Sequence, residues 1–345
     1  MTAALSEVEL EAVRGFLDSS GARVGAELSC RLLAGGRSNL TFLIEDGSSR
    51  WVLRMPPRAG RTPSAHDVAR EYRVTRALEG SGVPVATPVA LCQDVSVLGC
   101  DFAVAKFVEG ASLQSRSDLE TVDGDTLDAI VTALLEALAA LHRADHVALG
   151  LQTFGRPDGY VARQTKRWSG QWSLVAPEDV AVRAAADELL ARLAEGVPPQ
   201  RATGIVHGDF RIDNTLLDLG SKPSVAAVVD WELSTIGDPV ADVATMCAYR
   251  HPAFDLVLGS GAAWTSERLP PVDELAARYL LAGGIDLHDW EFHLALAYYK
   301  IAVIAAGIDH RARAAGGSTV RDSAAEAVGP FLAAGLDALR PRVHR

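Results

Sequence analysis

The sequence predicts an α+β protein of two lobes, the first an antiparallel sheet with one helix and the second mostly helical. Short strand signals fill the first third of the chain, whereas long segments of helical periodicity fill the remainder. The length of 345 residues exceeds what one compact core usually holds and suits two lobes. We therefore assign residues 1–108 to the first lobe and residues 109–345 to the second, with a hinge near residues 106–110.

The first lobe begins with a predicted amphipathic helix over residues 7–19. Ser6 and Glu9 have the spacing of a capping box at its start, and Gly21 marks its end. The Asp46-Gly47 pair indicates a tight turn between two strands. The elements that follow are predicted in the order β-β-β-α-β-β: strands over 28–33, 40–45 and 51–55, a helix over 66–78, and strands over 89–92 and 102–108.

The second lobe is predicted to contain long helices and short apolar strands. Its most apolar stretch, residues 294–308, is shorter than the ~20 residues that a membrane span requires. Tyr298, Tyr299, Lys300 and Gly307 interrupt this stretch, so we expect a buried helix and no membrane association. The predicted helices cover 127–142, 180–193, 272–281, 288–306 and 324–339, and the predicted strands cover 204–206, 215–217 and 225–229.

The composition is that of a folded, acidic chain. Hydrophobic residues make up 48% and charged residues 22%, so a core can be buried, and the mean hydropathy is +0.12. The net charge of −11 argues against nucleic acid as a partner. The four cysteines are scattered without a metal-binding spacing, and the first residues lack a basic cluster. We therefore expect a soluble, cytoplasmic protein without disulfides or zinc sites.

The strongest chemical signal is a pair of polar motifs at strand ends. Residues 207–214 have the spacing H-x-D-x-x-x-x-N, and Asp230-Trp231-Glu232 follows the next apolar strand. Phosphoryl transfer needs an aligned nucleophile and metal-bound phosphates. A carboxylate near the attacking hydroxyl, with an amide oxygen and a second carboxylate as magnesium ligands, meets that need. The alternative is two unrelated loops whose Asp and Asn side chains cap strands, and the apolar strand between the motifs favours the first interpretation.

These motifs resemble those of the aminoglycoside phosphotransferase and choline kinase-like family. Within that family, the chain looks most like the branch found fused to acyl-CoA dehydrogenases in some larger proteins. The resemblance covers nearly the whole chain and implies a protein-kinase-like fold that transfers the γ-phosphate of ATP, with Mg²⁺, to a hydroxyl of a small molecule. The stretches that carry it are Gly35-Gly36-Arg37-Ser38-Asn39, Trp51-Val52-Leu53-Arg54, Arg70-Glu71-Tyr72, Phe154-Gly155-Arg156-Pro157, residues 207–214, Asp230-Trp231-Glu232 and Gly237-Asp238-Pro239.

The resemblance implies roles for the residues of the two motifs. Asp209 is expected to be the catalytic base that accepts the proton of the acceptor hydroxyl, and Asn214 and Asp230 are expected to hold magnesium. We count Arg211, in the same loop, among the catalytic residues, whereas His207 is expected to support the loop by hydrogen bonding. The residues expected to brace the loop backbone are Glu232, Asp238 and above all Asp242, at the start of the helix after Pro239.

The nucleotide is expected to bind residues of the first lobe. Arg54 stands where such kinases usually carry a lysine that grips the phosphates, and Glu71 matches its ion-pair partner. The alternatives are an exposed strand arginine for Arg54 and a plain hairpin turn for the small residues before it. The remaining residues assigned to nucleotide binding are Gly35, Gly36 and Ser38 near the phosphates, and Ala105 and Phe107 along the adenine edge. The choice between ATP and GTP stays open.

A basic cluster in this acidic chain indicates the chemistry of the acceptor. If this cluster and Arg211 face the acceptor, they favour an acceptor that carries an anionic group. Examples are the carboxylate or phosphate of a hydroxyacyl-CoA or of another anionic metabolite. The alternative is an amphipathic helix with a solvated basic face. The cluster consists of Arg156, Arg163, Lys166 and Arg167 beside Tyr160, Trp168 and Trp172.

Two other functions are compatible with the sequence. A non-catalytic nucleotide-binding scaffold is suggested by the exchange at Arg54, although intact Asp209, Asn214 and Asp230 argue against it. A resistance kinase that modifies aminoglycosides would share the mechanism and differ in its acceptor. The hydrophobic C-terminal helices can pack internally or form a homodimer interface.

Overall fold

The computed structural model describes residues 5–25, 27–34, 39–58, 67–316 and 322–340. The chain divides into two compact units. The first unit consists of Met1–Gly110 with Ala226–Ser234, and the second consists of Ala111–Val225 with Thr235–Arg345. The sequence-based division at residue 108 did not anticipate that Ala226–Ser234, the segment that carries Asp230, groups with the first unit.

The first unit contains a five-stranded antiparallel sheet in the order β1-β2-β3-β5-β4. Its core is formed where alternate residues of the central strands point to one face, as with Phe42, Leu53 and Phe102, which are fully buried. The strands are β1 (Ser29–Ala34), β2 (Leu40–Glu45), β3 (Arg50–Met55), β4 (Pro88–Cys92) and β5 (Phe102–Lys106).

Helices of the first unit cover this sheet and supply one residue of the site. Helix α1 (Glu7–Ser19) begins with the predicted capping box and packs its Phe16 ring edge-on against Phe102. Helix α2 (Val68–Leu78) is capped by Asp67, and α3 (Val95–Leu98) is a short helix that the sequence pattern did not indicate. The predicted start of α2 at residue 66 lies outside the described residues.

The segment Ala226–Ser234 joins the first unit through backbone contacts. Val228 N–H donates to the carbonyl of Pro84 at 2.9 Å, and Val85 forms a parallel bridge with Val228. The guanidinium of Arg70 on α2 donates to the carbonyl of Ser234 at 3.0 Å. These contacts, between residues far apart in the sequence, hold the turn that carries Asp230 within the first unit.

The second unit is mostly helical, as predicted, with four strands that lie in it or enter it. Its helices are α4 (Arg116–Glu120), α5 (Gly124–Arg143), α6 (Tyr160–Val175), α7 (Val180–Glu195), α8 (Pro239–Ala248), α9 (Phe254–Leu258), α10 (Val272–Leu281), α11 (Trp290–Ala314) and α12 (Asp322–Ala338). Strands β6 (Gly204–Val206) and β9 (Thr235–Gly237) pair antiparallel. Strand β7 (Thr215–Asp218) follows, and β8 (Ser224–Val228) leads the chain from the second unit into the first.

Helix α11 corresponds to the apolar stretch that was predicted to be a buried helix. Within the described residues it is the one helix long and apolar enough to cross a membrane, but 78% of its most apolar window is buried inside the protein. The core helix of a folded domain meets the same length and hydropathy criteria. The burial of Tyr299, Ile301 and Ala302 in α11 therefore agrees with the predicted buried helix. The four cysteines, all within the described residues, are free thiols.

Close packing between β9 and α6 requires glycine at residue 237. A Cβ atom at Gly237 would lie 2.7 Å from Cε2 of Tyr160, so the ring or the strand would have to move. We expect Gly237→Ala to lower the melting temperature, with a loss of about 1–3 kcal/mol of stability from overpacking. Gly170→Ala in α6 is the matched control, because a Cβ there meets nothing within 4 Å and alanine favours the helix by about 1 kcal/mol. Equal melting temperatures for both variants in scanning calorimetry would contradict the tight contact.

Candidate active site

Three charged side chains meet in the first unit. Arg54 on β3 forms an ion pair with Glu71 on α2, with 3.1 Å between Nε and Oε2. The same guanidinium contacts Asp230, with 3.0 Å between Nη2 and Oδ1. The side-chain amide of Asn39 donates to the other carboxylate oxygen of Glu71 at 2.6 Å. The predicted pair of Arg54 and Glu71 is therefore present, and the alternative of an exposed strand arginine is excluded because only 23% of the Arg54 side chain is accessible.

The carboxyl group of Glu71 lies in an unusual electrostatic environment. Burial raises its pKa from 4.5 to about 7, although the adjacent Arg54 guanidinium favours the charged form. The carboxylates of Asp230 and Glu232 add to the rise by repulsion. The Arg54 guanidinium thus lies near the carboxyl groups of Glu71, Asp230 and Glu232. It has enough N–H donors to contact the first two at once.

The backbone of Asp230 is held in a left-handed conformation. Its φ of 64° and ψ of 60° are rarely adopted by residues other than glycine. Hydrogen bonds on either side maintain the turn, because the indole of Trp231 donates to the carbonyl of Val228 at 2.9 Å and Ser234 Oγ donates to the carbonyl of Trp231 at 2.6 Å. The strained residue is therefore positioned by its neighbours, which is typical of functional carboxylates.

In the second unit, the loop after β6 is held by the carboxylate of Asp242 on α8. Its two oxygens accept hydrogen bonds from the backbone N–H of His207 at 2.6 Å and of Gly208 at 2.9 Å. Gly208 has a φ of +85°, which a side chain would disfavour. The ring Nδ1 of His207 accepts from Asp209 N–H at 3.3 Å. The structure thus contains the loop support that the sequence indicated for His207 and Asp242.

A buried network behind Asp242 was not anticipated from the sequence. His142 at the end of α5 lies 3.2 Å from Asp242 through Nε2 and 2.8 Å from the hydroxyl of Tyr279 on α10 through Nδ1. Although burial opposes it, the hydrogen bond with His142 and the bonds from the loop hold the pKa of Asp242 below its ordinary value. The available signal was a histidine on the apolar face of α5, one residue before its end, but its partners come from distant segments.

The carboxylate of Asp209 is surrounded by hydrogen-bond donors. The side-chain amide of Asn214 donates to Asp209 Oδ2 at 2.9 Å and to the Asp209 carbonyl at 2.8 Å. Burial raises the pKa of Tyr249 well above its ordinary value, and the Asp209 carboxylate, which is hydrogen-bonded to the Tyr249 hydroxyl, adds to the rise. Because the Asn214 nitrogen donates to Asp209, its amide oxygen remains the group that can accept from water or bind a cation.

Arg211 does not present a free charge to an acceptor. It contacts Asp209 Oδ2 at 3.3 Å and Asp213 Oδ2 at 2.7 Å, and its side chain is 11% accessible. Its guanidinium also lies 5.4 Å and 5.3 Å from the ring centres of Tyr249 and Phe254. Two carboxylates therefore compensate its charge, and the geometry supports a role in positioning the loop and not the direct contact with the acceptor that the sequence suggested.

Of the remaining residues assigned to nucleotide binding, two lie within the described residues and three lie outside them. Ala105 lies in β5 and pairs with β3 and β4. Phe107 N–H donates to the carbonyl of Arg50 at 3.0 Å, so donating to a nucleotide would require that bond to open. Their assignment to the adenine edge stays a prediction. The residues predicted to lie near the phosphates, Gly35, Gly36 and Ser38, fall outside the described residues.

The predicted basic cluster lies largely on α6, a helix absent from the predicted set of long helices. Lys166 and Arg167 are exposed, whereas Trp172 on the same helix is buried and its ring lies 6.4 Å from that of Tyr299 on α11. The Arg167 guanidinium lies 5.2 Å from the ring centre of Trp168. The cluster is thus the basic face of an amphipathic helix.

A magnesium ion bound to this chain would be held mainly by substrate phosphates and water. Among the described residues, no group of three or more His, Cys, Asp or Glu side chains is arranged to hold a metal ion by itself. Mg²⁺ in kinases typically takes only one or two protein oxygens and completes its octahedron with phosphates and water. The Asn214 amide oxygen and the Asp230 carboxylate are ligands of the kind that this ion prefers.

The chain matches a family model and several curated proteins in sequence. A model of the "Phosphotransferase enzyme family" matches residues 29–292, well over half of the chain. Acyl-CoA dehydrogenase family member 11 of Gallus gallus is 39% identical over 288 residues, which cover 81% of this chain and 36% of that protein. The chain therefore spans much less than half the length of this relative.

Solved structures resemble the chain along nearly all its length. A structure from Ralstonia eutropha, provisionally named an aminoglycoside phosphotransferase, is 32% identical with a TM-score of 0.81, covering 95% of this chain and 97% of its own. Aminoglycoside phosphotransferase APH(4)-Ia, as a thermostable mutant in ternary complex with AMP-PNP and hygromycin B, is 20% identical with a TM-score of 0.61, covering 95% and 98%. These similarities confirm the predicted kinase-like α+β fold.

The raised pKa of Glu71 predicts a pH dependence of stability. Between pH 4.5 and about 7 the folded protein keeps a proton on Glu71 that the unfolded chain has released, so stability falls as the pH rises across this window. We expect a fall of at most roughly 3 kcal/mol from this group. Glu71→Gln should remove that fall, which urea denaturation between pH 5 and 8 can measure.

Glu136→Gln, at an exposed position of α5, is the matched control for the loss of one carboxyl group. Its pH dependence should parallel that of the wild type. If Glu71→Gln also parallels the wild type, Glu71 titrates in the folded protein as it does in the unfolded chain.

Proposed function

Because this chain belongs to the phosphotransferase enzyme family, we propose that it transfers the γ-phosphate of ATP to a hydroxyl group of a small, anionic acceptor. The observation that carries the proposal is the environment of Asp209. Asn214 and Arg211 both contact Asp209 Oδ2 and so hold the carboxylate in one orientation. A fixed carboxylate on a braced loop can align an acceptor hydroxyl and accept its proton, which is the contribution that phosphoryl transfer needs from a base.

We assign magnesium to Asn214 and Asp230. The Asn214 nitrogen is committed to Asp209, which leaves its oxygen for the ion, and Asp230 has a second carboxylate oxygen besides the one that contacts Arg54. When bound, the ion would neutralise charge on the phosphates. One structural neighbour is a complex with AMP-PNP, which supports ATP as the phosphate donor of this chain.

Arg54 takes the place of the usual phosphate-binding lysine in this proposal. It forms the expected ion pair with Glu71, and its planar guanidinium has further N–H donors that suit two phosphate oxygens. This arrangement supports catalysis over a non-catalytic scaffold, since the exchanged residue retains both its position on β3 and its partner.

The acceptor is assigned as an anion, with hydroxyacyl-CoA as the candidate. The basic face of α6 offers exposed cations in a chain of net charge −11. A relative named as an acyl-CoA dehydrogenase family member supports an acyl-CoA-related acceptor. The charge of Arg211 does not support anion binding, because Asp209 and Asp213 compensate it.

The catalytic role of Asp209 predicts a large loss of turnover in its variant. We expect Asp209→Ala to lower kcat by at least ~100-fold, which is the typical contribution of a general base, while ATP binding persists. The measurement is coupled detection of ADP release with saturating acceptor. Asp218→Ala, at an exposed position of β7, controls for loss of a carboxylate and should keep full activity. Near wild-type turnover by Asp209→Ala would remove the base assignment.

An acceptor panel tests the rest of the proposal. Magnesium-dependent ADP release should be measured with a hydroxyacyl-CoA, the free hydroxy acid, a neutral alcohol of equal chain length, and kanamycin. We expect the anionic acceptors to give the highest kcat/KM and chelation by EDTA to abolish release. Preference for kanamycin would identify a resistance kinase instead. Magnesium-dependent ATP binding without ADP release for any acceptor would favour the scaffold.

A further inference from the structure

A single charged residue lies within the most apolar stretch of the chain. Residues 294–308 of α11 contain Lys300 and otherwise only apolar, aromatic or glycine residues. Its neighbours Tyr299 and Ile301 are fully buried, and Lys300 itself is partly buried. An ammonium group in such surroundings loses hydration, which costs free energy unless other groups compensate it. The contacts and charges around Lys300 therefore indicate whether this residue has a function.

The ammonium group of Lys300 lies against the loop that carries Asp209. Its Nζ is 3.4 Å from the carbonyl oxygen of Gly208, the residue that precedes Asp209. Burial lowers the pKa of Lys300, and the nearby carboxylates of Asp209 and Asp242 oppose that fall, whereas Arg167 adds to it. Arg167 on α6 is thus near enough to Lys300 on α11 for the two positive charges to repel each other.

The carboxylates near Lys300 have other partners. Asp242 accepts from two backbone N–H groups and contacts His142, while Asp209 contacts Asn214 and Arg211. In the described part of the chain, the hydrogen bond of Lys300 is the long one to Gly208. Since an ammonium has three donors, most of its hydrogen-bonding capacity is left for a ligand. Arg211, by contrast, is compensated by two carboxylates.

We propose that Lys300 binds an anionic oxygen of the substrate beside Asp209. This inference rests on the proposed function. The oxygen belongs either to the phosphoryl group under transfer or to the carboxylate of the acceptor, and both present the same chemistry to an ammonium. Lys300 supplies at this site the positive charge that the sequence first suggested for Arg211, and among the described residues it forms no ion pair with a carboxylate. The cost of holding a lysine in the apolar helix is then offset when the substrate binds.

The experiment compares Lys300→Met, which keeps the aliphatic stem, with Lys300→Arg, which keeps the charge. Rates of ADP release are measured with the anionic acceptor, with the neutral alcohol and with water as the acceptor. We expect Lys300→Met to lower kcat/KM by about 10- to 100-fold, the range for loss of a hydrogen bond to a charged group, and Lys300→Arg to restore much of it. Lys222→Met, in an exposed loop, is the matched control and should behave as the wild type.

The acceptors distinguish the two sources of the oxygen. A loss with all three acceptors, mainly in kcat, assigns Lys300 to the phosphoryl group, whereas a loss confined to the anionic acceptor assigns it to the acceptor carboxylate. Rates within twofold of the wild type for folded Lys300→Met overturn the proposal, as does failure of Lys300→Arg to exceed Lys300→Met while both melt as the wild type does.

A second measurement separates this inference from the proposed function. Binding of inorganic phosphate is measured by titration calorimetry with the wild type and with Lys300→Met, neither of which needs to turn over ATP. Weaker binding by Lys300→Met supports the anion site even if no acceptor in the panel is phosphorylated. Equal binding of phosphate by the two proteins, together with unchanged kinetics where activity exists, rejects it.

Discussion

The loop that carries Asp209 depends on one buried carboxylate. Asp242 accepts hydrogen bonds from the backbone N–H groups of His207 and Gly208, and Gly208 adopts a positive φ in this loop. Removing the carboxylate would leave two buried donors without an acceptor, and each such donor costs about 1–3 kcal/mol. The loop conformation therefore depends on α8, which follows it in the sequence, as well as on the loop residues themselves.

The network behind Asp242 extends this constraint into the helical core. His142 links the carboxylate to the hydroxyl of Tyr279, and that hydroxyl also accepts from the backbone N–H of Ile285. A buried polar network is stabilising only when every member has a partner, and here each member has one. Hydrogen bonds thus connect helices α5, α8 and α10 to the loop that carries Asp209, and the packing of these helices helps to fix the position of the loop.

Charge compensation divides the basic residues of the protein by role. Arg54 and Arg211 lie between carboxylates, so their positive charge holds acidic groups in place. Lys300 forms no ion pair within the described part of the chain, and Lys166 and Arg167 of α6 are exposed, so these cations are also available to an anionic ligand. This distinction cannot be read from the number of arginines and lysines in a motif, because it depends on which carboxylates each side chain reaches.

The sequence by itself determined the α+β class, most of the element pattern and the chemistry of the catalytic motifs. These features follow from local periodicity and from residues a few positions apart, such as the capping box of α1 and the spacing from Asp209 to Asn214. The short helix α3 escaped prediction because its local signal is weak, whereas α6 was predicted only as the alternative interpretation of the basic cluster.

Only the tertiary structure decided which side chains contact Asp242, Asp230 and Arg211. His142 and Asp242 are separated by 100 residues, and Arg54 and Asp230 by 176, so no local pattern relates them. The same holds for the grouping of Ala226–Ser234 with the first unit and for the compensation of Arg211. Such contacts arise from the packing of distant segments, whose free energy depends on the whole fold and not on neighbours along the chain.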